Sequence, residues 1–383
     1  MITTVSCCVI VPHGKCFGSL LVQAILPCCK HQVPAPAGQT GRRTIAGGVS
    51  MHGSMPALLA VCRKLALLPL VLALAAHFSA HASAADYPDR PVKIVVPFPA
   101  GGTADAIPRI IADWLSRKWS QPVVIENRTG AAGNIGAEQV YHSAPDGYTL
   151  LSSPPPPLVI NHNLYPRLGF DPTKFEPVIV MAKVPNALIV NPTNIKASSV
   201  AELIEYLKGN SDRTICATQG NGTTSHLTSE LFQLMAKVKL RHIPYRGSAP
   251  ALQGLVAGDV DVMFDNLGVS LELVQAGKLK LLAIASSERL PTLPDVPTIS
   301  ETLPGFEAVA WYGIVAPPKT PKNIVDKINA DVNEALRQPQ VQDQLKKLSA
   351  GIFGGPVDKS SAYMREEIDR WAAVIKSANI ELQ

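Results

Sequence analysis

Apolar positions along this chain switch repeatedly between short unbroken runs and a helical period. Val92–Val96 is an apolar run fit for a buried parallel strand, and residues 107–119 repeat at helical spacing. The same alternation predicts strands at 123–126, 148–152, 176–182, 187–191, 214–217, 241–245, 260–264, 279–285 and 311–316. Helices are expected over 134–143, 198–208, 225–236, 249–257, 321–336 and 359–378. Pro108 fits a first helical turn, where its missing N–H costs nothing, so the first cap is expected near Asp105 with 101–103 as loop. Asn134 and Ser199 are the expected caps of their helices. The run Pro154 to Pro157 reads as stiff polyproline without donors. Repeated β-α-β units make this an α/β chain, with parallel or mixed sheets covered by helices on both faces.

The amino-terminal part does not belong to that pattern. Arg63-Lys64, about a dozen apolar residues and the site Ala82-Ser83-Ala84 make a secretory signal peptide over 51–84. The apolar run is shorter than the about 20 residues a bilayer span needs. Leu59-Ala60-Val61-Cys62 is a poor lipoprotein box, because its apolar run follows the cysteine. Arg42-Arg43 is a twin arginine with no apolar segment after it. Residues 1–50 hold five of the seven cysteines and no structural period, so translation is expected to start at Met51 or Met55. Cleavage after Ala84 leaves 299 residues. The intact mass of the exported protein should therefore correspond to a chain beginning at Ala85, and retention of Ala84 would refute the site.

Removing the leader changes the charge. Residues 1–84 carry six Lys/Arg and no Asp/Glu, which leaves 29 basic against 30 acidic side chains. The mature chain is then close to neutral, with nothing basic to track a phosphate backbone, so no nucleic-acid partner is expected. Only Cys216 survives cleavage, in an apolar strand that favours packing over reactivity. About 300 residues exceed the usual single core and suggest two lobes.

Candidate chemistry gathers where strands give way to helices. Phe98-Pro99-Ala100-Gly101-Gly102-Thr103 points bare N–H groups and the positive end of a helix at whatever lies above the strand, a receptor for an anion without a fixed charge. An ordinary strand-to-helix turn fits this loop alone equally well. A second such turn runs from Asn127 through Gly130, Ala131, Ala132, Gly133 and Asn134. Its G-x-x-G-x-x-G spacing, with no acid placed for a ribose, argues against a dinucleotide, and no cofactor is expected. The third is Gly220 to His226, with Gly222, Thr223 and Thr224; His226 reads as an orienting or structural residue. Asp265-Asn266 ends a fourth strand, where an acid holds a ligand hydroxyl, amine or water, or caps the next segment. Arg246 borders the same region. Neither a G-x-S-x-G elbow nor H-E-x-x-H nor C-x-x-C occurs, so no catalytic residue, no metal site and no enzyme is expected.

Several segments together resemble the tripartite tricarboxylate transporter receptor family, the Bug or TctC type of extracytoplasmic solute receptor. They are the 97–105 loop, Val124-Ile125-Glu126-Asn127-Arg128-Thr129-Gly130 with Gly133-Asn134-Ile135-Gly136, Pro145-Asp146-Gly147-Tyr148, Gly222-Thr223-Thr224-Ser225-His226, Pro244-Tyr245-Arg246-Gly247-Ser248-Ala249-Pro250, Leu293-Pro294-Asp295-Val296-Pro297 and Trp311-Tyr312-Gly313. The resemblance implies a two-lobed flytrap, a periplasmic-binding-protein fold with a mixed sheet and flanking helices in each lobe. Lobe 1 would take 86–187 and 312–383, and lobe 2 would take 188–311. It further implies a small carboxylate held in the cleft by loop N–H groups and water, periplasmic location, the permease subunits as partners, and a monomer without direct membrane insertion. The implied binding set is Phe98, Ala100, Gly101, Gly102, Thr103, Asn127, Gly130, Ala131, Ala132, Gly133, Asn134 and Ser152 in lobe 1, with Gly222, Thr223, Thr224, His226 and Asp265 in lobe 2. A ligand-sensing subunit for a membrane signalling partner is the alternative. One departure stands out: four prolines follow Ser152 and Ser153 where the family offers polar residues, so the pocket is expected to favour an aromatic or otherwise apolar-bodied carboxylate over a polyhydroxylated one.

Overall fold

A computed structural model describes residues 87–377 except 212, together with residue 380. The expected leader and the segment before it lie outside the described residues. Strand β1 (Val92–Val96) leads into α1 (Thr103–Trp119), followed by β2 (Val123–Asn127), α2 (Asn134–Tyr141), β3 (Thr149–Ser153) and the long β4 (Glu176–Val190). Then come α3 (Val200–Gly209), β5 (Ile215–Thr218), α4 (Thr224–Ala236), β6 (Arg241–Pro244), α5 (Ser248–Ala257), β7 (Val262–Asn266), α6 (Leu267–Gln275) and β8 (Lys280–Ile284). The chain closes with β9 (Val309–Ala316), α7 (Lys322–Leu336), α8 (Pro339–Lys347), β10 (Gly351–Ile352) and α9 (Val357–Ser377).

These strands form two mixed sheets that share β4. In the first, β1 lies parallel between β2 and β3, β9 runs antiparallel to β3, and β4 and β10 follow antiparallel. In the second, β4 pairs antiparallel with β7 and β8, while β5 lies parallel between β7 and β6. The switch occurs at Pro185 and Asn186: the β9 ladder ends on Pro185, and the β7 ladder begins on Asn186. The sequence reads as two separate strands here. It is one strand, because a proline without N–H does little harm where one ladder stops.

Burial follows the sequence periods. Helix α1 buries Ile107, Ile111, Leu115 and Trp119, one stripe at i, i+4 spacing. In the second lobe Phe232 lies against Phe264 and Phe306, with ring centroids 5.3 and 6.3 Å apart. In the first lobe the indoles of Trp311 and Trp371 donate to buried Glu367 at 2.9 and 3.2 Å, and Arg370 donates to the same carboxylate. That buried charge is thus both paired and hydrogen-bonded, the condition under which burial is tolerated.

Four local expectations need correction. Helix α1 begins at Thr103 with Gly102 as cap, which places Pro108 in the second turn; Asp105 sits inside the first turn and its carboxylate reaches back to Gly101 N–H at 3.2 Å. Asn134 is the first residue of α2, with left-handed Gly133 (φ 92°) as its cap. The proline run is not extended. Pro155 is helical (φ −49°, ψ −39°) and opens a buried wide turn, Pro156–Ile160, since the fixed proline φ suits a helix start as well as an extended chain. Helices α6 and α8 were not expected from the sequence.

Candidate functional site

Four helices begin around one small hollow between the lobes. Gly102, Thr103 and Ala104 open α1, Thr223 and Thr224 open α4, Gly247 and Ser248 open α5, and Asn266 caps α6; all line it. The hollow measures about 20 Å³, room for about one water-sized group. Phe98, Pro99, Pro154, Pro156 and Gln219 complete its lining. None of these lining side chains is charged.

The main-chain N–H groups of Thr103, Ala104, Thr224 and Ser248 have no acceptor among the described residues. Such groups at helix starts are donors waiting for an anion, and the helix dipoles add to their pull. The hydroxyl of Thr103, only 1% exposed, also has no partner among the described residues. An unpaired buried hydroxyl costs about 1–3 kcal/mol unless something fills it.

A larger hollow of about 460 Å³ continues from the first and shares Phe98, Pro99, Gln219, Thr223 and Gly247 with it. The turn Gly130, Ala131, Ala132 and Gly133 faces it from lobe 1, and Gly220, Asn221, Tyr245 and Arg246 from lobe 2. All four residues of that turn have positive φ, between 47° and 130°. Two alanines in the left-handed region are strained, and the fold holds them there. Arg246 is the lone charged residue among the lining of both hollows.

The loops around the hollow stand close to one another. A β-carbon added at Gly247 would stand 3.0 Å from Pro99 Cγ, one at Gly102 would stand 3.6 Å from Ser248 Cβ, and one at Gly222 would stand 3.6 Å from Ala132 Cβ. Glycine is needed at Gly247 for its φ of 103° as well as for space.

Of the expected set, Phe98, Gly102, Thr103, Thr223 and Thr224 line the inner hollow, and Gly130 to Gly133 line the outer one. The others stand behind these. Gly101 donates to Asp105 and faces a separate groove between α5 and α6, while Ala100 is exposed. Asn127 Nδ2 donates to the Phe98 carbonyl at 2.9 Å and to Asp105 at 2.8 Å, bracing the first loop. Burial disfavours the Asp105 charge, but hydrogen bonds from Arg109, Asn127 and Gly101 outweigh that and hold its carboxyl below the usual range. Asn134 Oδ1 accepts from Asn161 at 2.6 Å, and Ser152 Oγ is buried in β3 without a partner among the described residues.

In lobe 2, Asp265 is fully buried beneath the site. Its Oδ1 accepts from Gln219 at 2.6 Å and from Ser248 at 2.8 Å, fixing two lining residues. Burial pushes its carboxyl up to about 6, against the pull of those two hydrogen bonds. Gly222 N–H donates to His226 Nδ1 at 3.2 Å, so that nitrogen carries a lone pair and Nε2 carries the proton. Nε2 faces Glu230 at 3.4 Å, and Glu230 in turn meets His242 Nδ1 at 3.1 Å. The trio has the composition of a metal site, but a protonated Nε2 is a donor and not a ligand. It is a hydrogen-bonded brace behind the third loop.

Sequence reading missed Gln219 and Ser248, while the Asp265-Asn266 strand end and the proline run were among its expectations. Gly247-Ser248 carries the same glycine-and-hydroxyl signature at a helix start as the other loops and was findable; Gln219 has no local signal. Among the described residues no helix is long and apolar enough to cross a membrane.

Residues 107–380 match the profile described as tripartite tricarboxylate transporter family receptor. Protein BugT of Bordetella pertussis is 36% identical over 324 residues, covering 84% of this chain and 99% of BugT. Among solved structures, R. palustris Rpa4515 with adipate is 39% identical with a TM-score of 0.75, covering 77% of this chain and 99% of that one. MatC from Rhodopseudomonas palustris with bound malate is 36% identical with a TM-score of 0.72, covering 76% of this chain and all of that one.

Proposed function

Because the chain belongs to the tripartite tricarboxylate transporter receptor family, whose members are two-lobed solute-binding receptors, we propose that it captures a small organic carboxylate between its lobes and delivers it to the membrane subunits of a tripartite tricarboxylate-type transporter. The observation that carries this reading is the inner hollow: four helix starts and unpaired N–H groups around a space with no charged side chain. Such a wall suits an anion. The adipate and malate of the relatives support the same ligand class. The outer hollow, at about 460 Å³, suits the body of a small acid.

In this reading the binding set named from sequence divides into donors at the hollow and braces behind it. Residues 86–187 and 312–383 form one lobe and 188–311 the other, joined through β4. The leader over 51–84 is removed on export to the periplasm, and the mature protein works as a monomer. Closure follows from contacts that the acid makes only when both lobes face it.

A thermal-shift screen of the mature protein against mono-, di- and tricarboxylates tests this. A ligand present at a hundred times its Kd adds about 2.7 kcal/mol of stability. The melting midpoint should then rise by about 5 °C or more for at least one acid. No shift with any acid at millimolar concentration would overturn the reading.

A further inference from the structure

Resting on that carboxylate reading, we propose that His226 positions the third loop for binding through its unprotonated Nδ1, so that the receptor grips its acid while His226 is neutral and loses affinity as the pH falls. Gly222 N–H donates to Nδ1 at 3.2 Å, and Nε2 carries the one ring proton toward Glu230 Oε1 at 3.4 Å. A second proton has only Nδ1 to go to. There it meets the Gly222 N–H, two donors with no acceptor between them. His226 is only 7% exposed, so little water is at hand to separate them. Gly222 must turn its N–H away, and the loop moves with it.

That loop is part of the wall. Gly220, Asn221 and Thr223 line the outer hollow, and Thr223 also lines the inner one. A β-carbon at Gly222 would stand 3.6 Å from Ala132 Cβ and 3.7 Å from Asn161 Oδ1, so the tip of the loop lies against the second turn. Asn161 Nδ2 in turn donates to the Ala132 carbonyl at 3.1 Å. Displacing Gly222 therefore disturbs both turns that face the outer hollow. Among the described residues two ionisable side chains face the His226 ring. Glu230, on the same helix, favours a second proton. His242, on β6, stands edge-on with ring centroids 5.0 Å apart and opposes it. Despite burial, the two histidines keep Glu230 ionised, and Cys216 and Glu230 keep His242 protonated near neutrality. Ala132, Asn161 and Leu164, which meet Gly222 from lobe 1, carry no charge.

Titration calorimetry at pH 7.5 and 5.5 reads this, on the mature wild type and His226→Asn, with acetate, adipate, malate and citrate. Asparagine places Oδ1 where Nδ1 was, an acceptor for Gly222 N–H that does not titrate. Protonation of the acids is common to both proteins, and so is that of Asp265 beneath the site, which burial raises to about 6. Both cancel when the two proteins are compared. An imidazole takes up its proton between pH 5 and 8, so excluding it from the complex should weaken wild-type binding on acidification by about tenfold more than in His226→Asn. An equal loss in both proteins would overturn the proposal and leave the carboxylate receptor standing; no binding of any of the four acids at either pH would overturn both. Nitrogen NMR of the wild-type histidines needs no variant. At pH 5.5 a bound acid should shift His226 toward the neutral form protonated on Nε2. A ring doubly protonated in the complex would overturn the proposal as well.

Discussion

Gly102→Val is expected to lower carboxylate affinity by at least a hundredfold while leaving a folded protein. The backbone at Gly102 is extended (φ −95°, ψ 170°), a conformation that a β-branched residue adopts without strain. The new β-carbon stands 3.6 Å from Ser248 Cβ, an ordinary contact, so the β-carbon alone is tolerated. The two added methyl groups must then go into a hollow of about 20 Å³, which they fill. They cover the Thr103 and Ala104 N–H groups and wedge α1 away from α5. A hundredfold loss corresponds to about 2.7 kcal/mol of binding. The folding cost is smaller: valine is a poor helix cap, worth about 1 kcal/mol, or about 2–4 °C in melting midpoint. Gly102→Ala is the control and should keep most of the affinity. Calorimetry on both variants with the best acid from the thermal screen decides it. Unchanged affinity in Gly102→Val would remove the first loop from the site.

The fold was legible wherever one period ran into another with a glycine or hydroxyl between them. Ser199 shows this at small scale: its side chain accepts from Glu202 N–H at 3.1 Å, as a serine before an amphipathic run should. Legibility failed where punctuation was missing or served a different purpose. Asn266 is both the last residue of β7 and the cap of α6, so no turn residue marks that boundary. Helix α8 had its signal in Pro339 at the first position and in buried Val341 and Leu345 four residues apart. Pro185 reads as a break and is a junction, because the ladder it would damage has already ended.

The site was half legible for a related reason. Glycine in a strand-to-helix turn announces itself, and those turns do meet at the hollows. What sequence could not supply is which distant residues come to face Gly102 across the hollow. Ser248 and Gln219 reach the hollow because Asp265, forty-six residues beyond Gln219 in the chain, holds both. Such a long-range anchor leaves no periodic trace. The same holds for His226: an imidazole on a helix face shows its role only once Gly222 N–H is seen to point at it.

Glu230→Gln is expected to lower the melting midpoint near pH 6 by about 5 °C and to flatten the decline in stability between pH 6.5 and 9. Burial disfavours the charge on Glu230, yet hydrogen bonds from His226 and His242 and the His242 charge prevail and hold its carboxyl at about 2. Burial also disfavours protonated His242, yet hydrogen bonding to Cys216 and Glu230 and the Glu230 charge lift it to about 9. Both shifts report one interaction and are counted once, worth about 2 kcal/mol for groups this far buried. The folded-state value of His242 lies above its unfolded value of 6.5, so its contribution is complete below pH 6.5 and fades as pH rises through 9. The Glu230 value is depressed, so its contribution is complete above pH 4.5 and lost only as pH falls through 2. Asp265 acts in a different window. Its raised value of about 6 makes stability fall between pH 3.8 and 6 and then level off, so it adds nothing to the decline above 6.5. Glutamine keeps the shape of the side chain and removes its charge, which leaves His242 to lose its proton at lower pH. Melting curves at half-unit steps from pH 6 to 9.5, for wild type and Glu230→Gln, make the comparison. Parallel curves across that range would show that the brace behind the third loop is not held by charge.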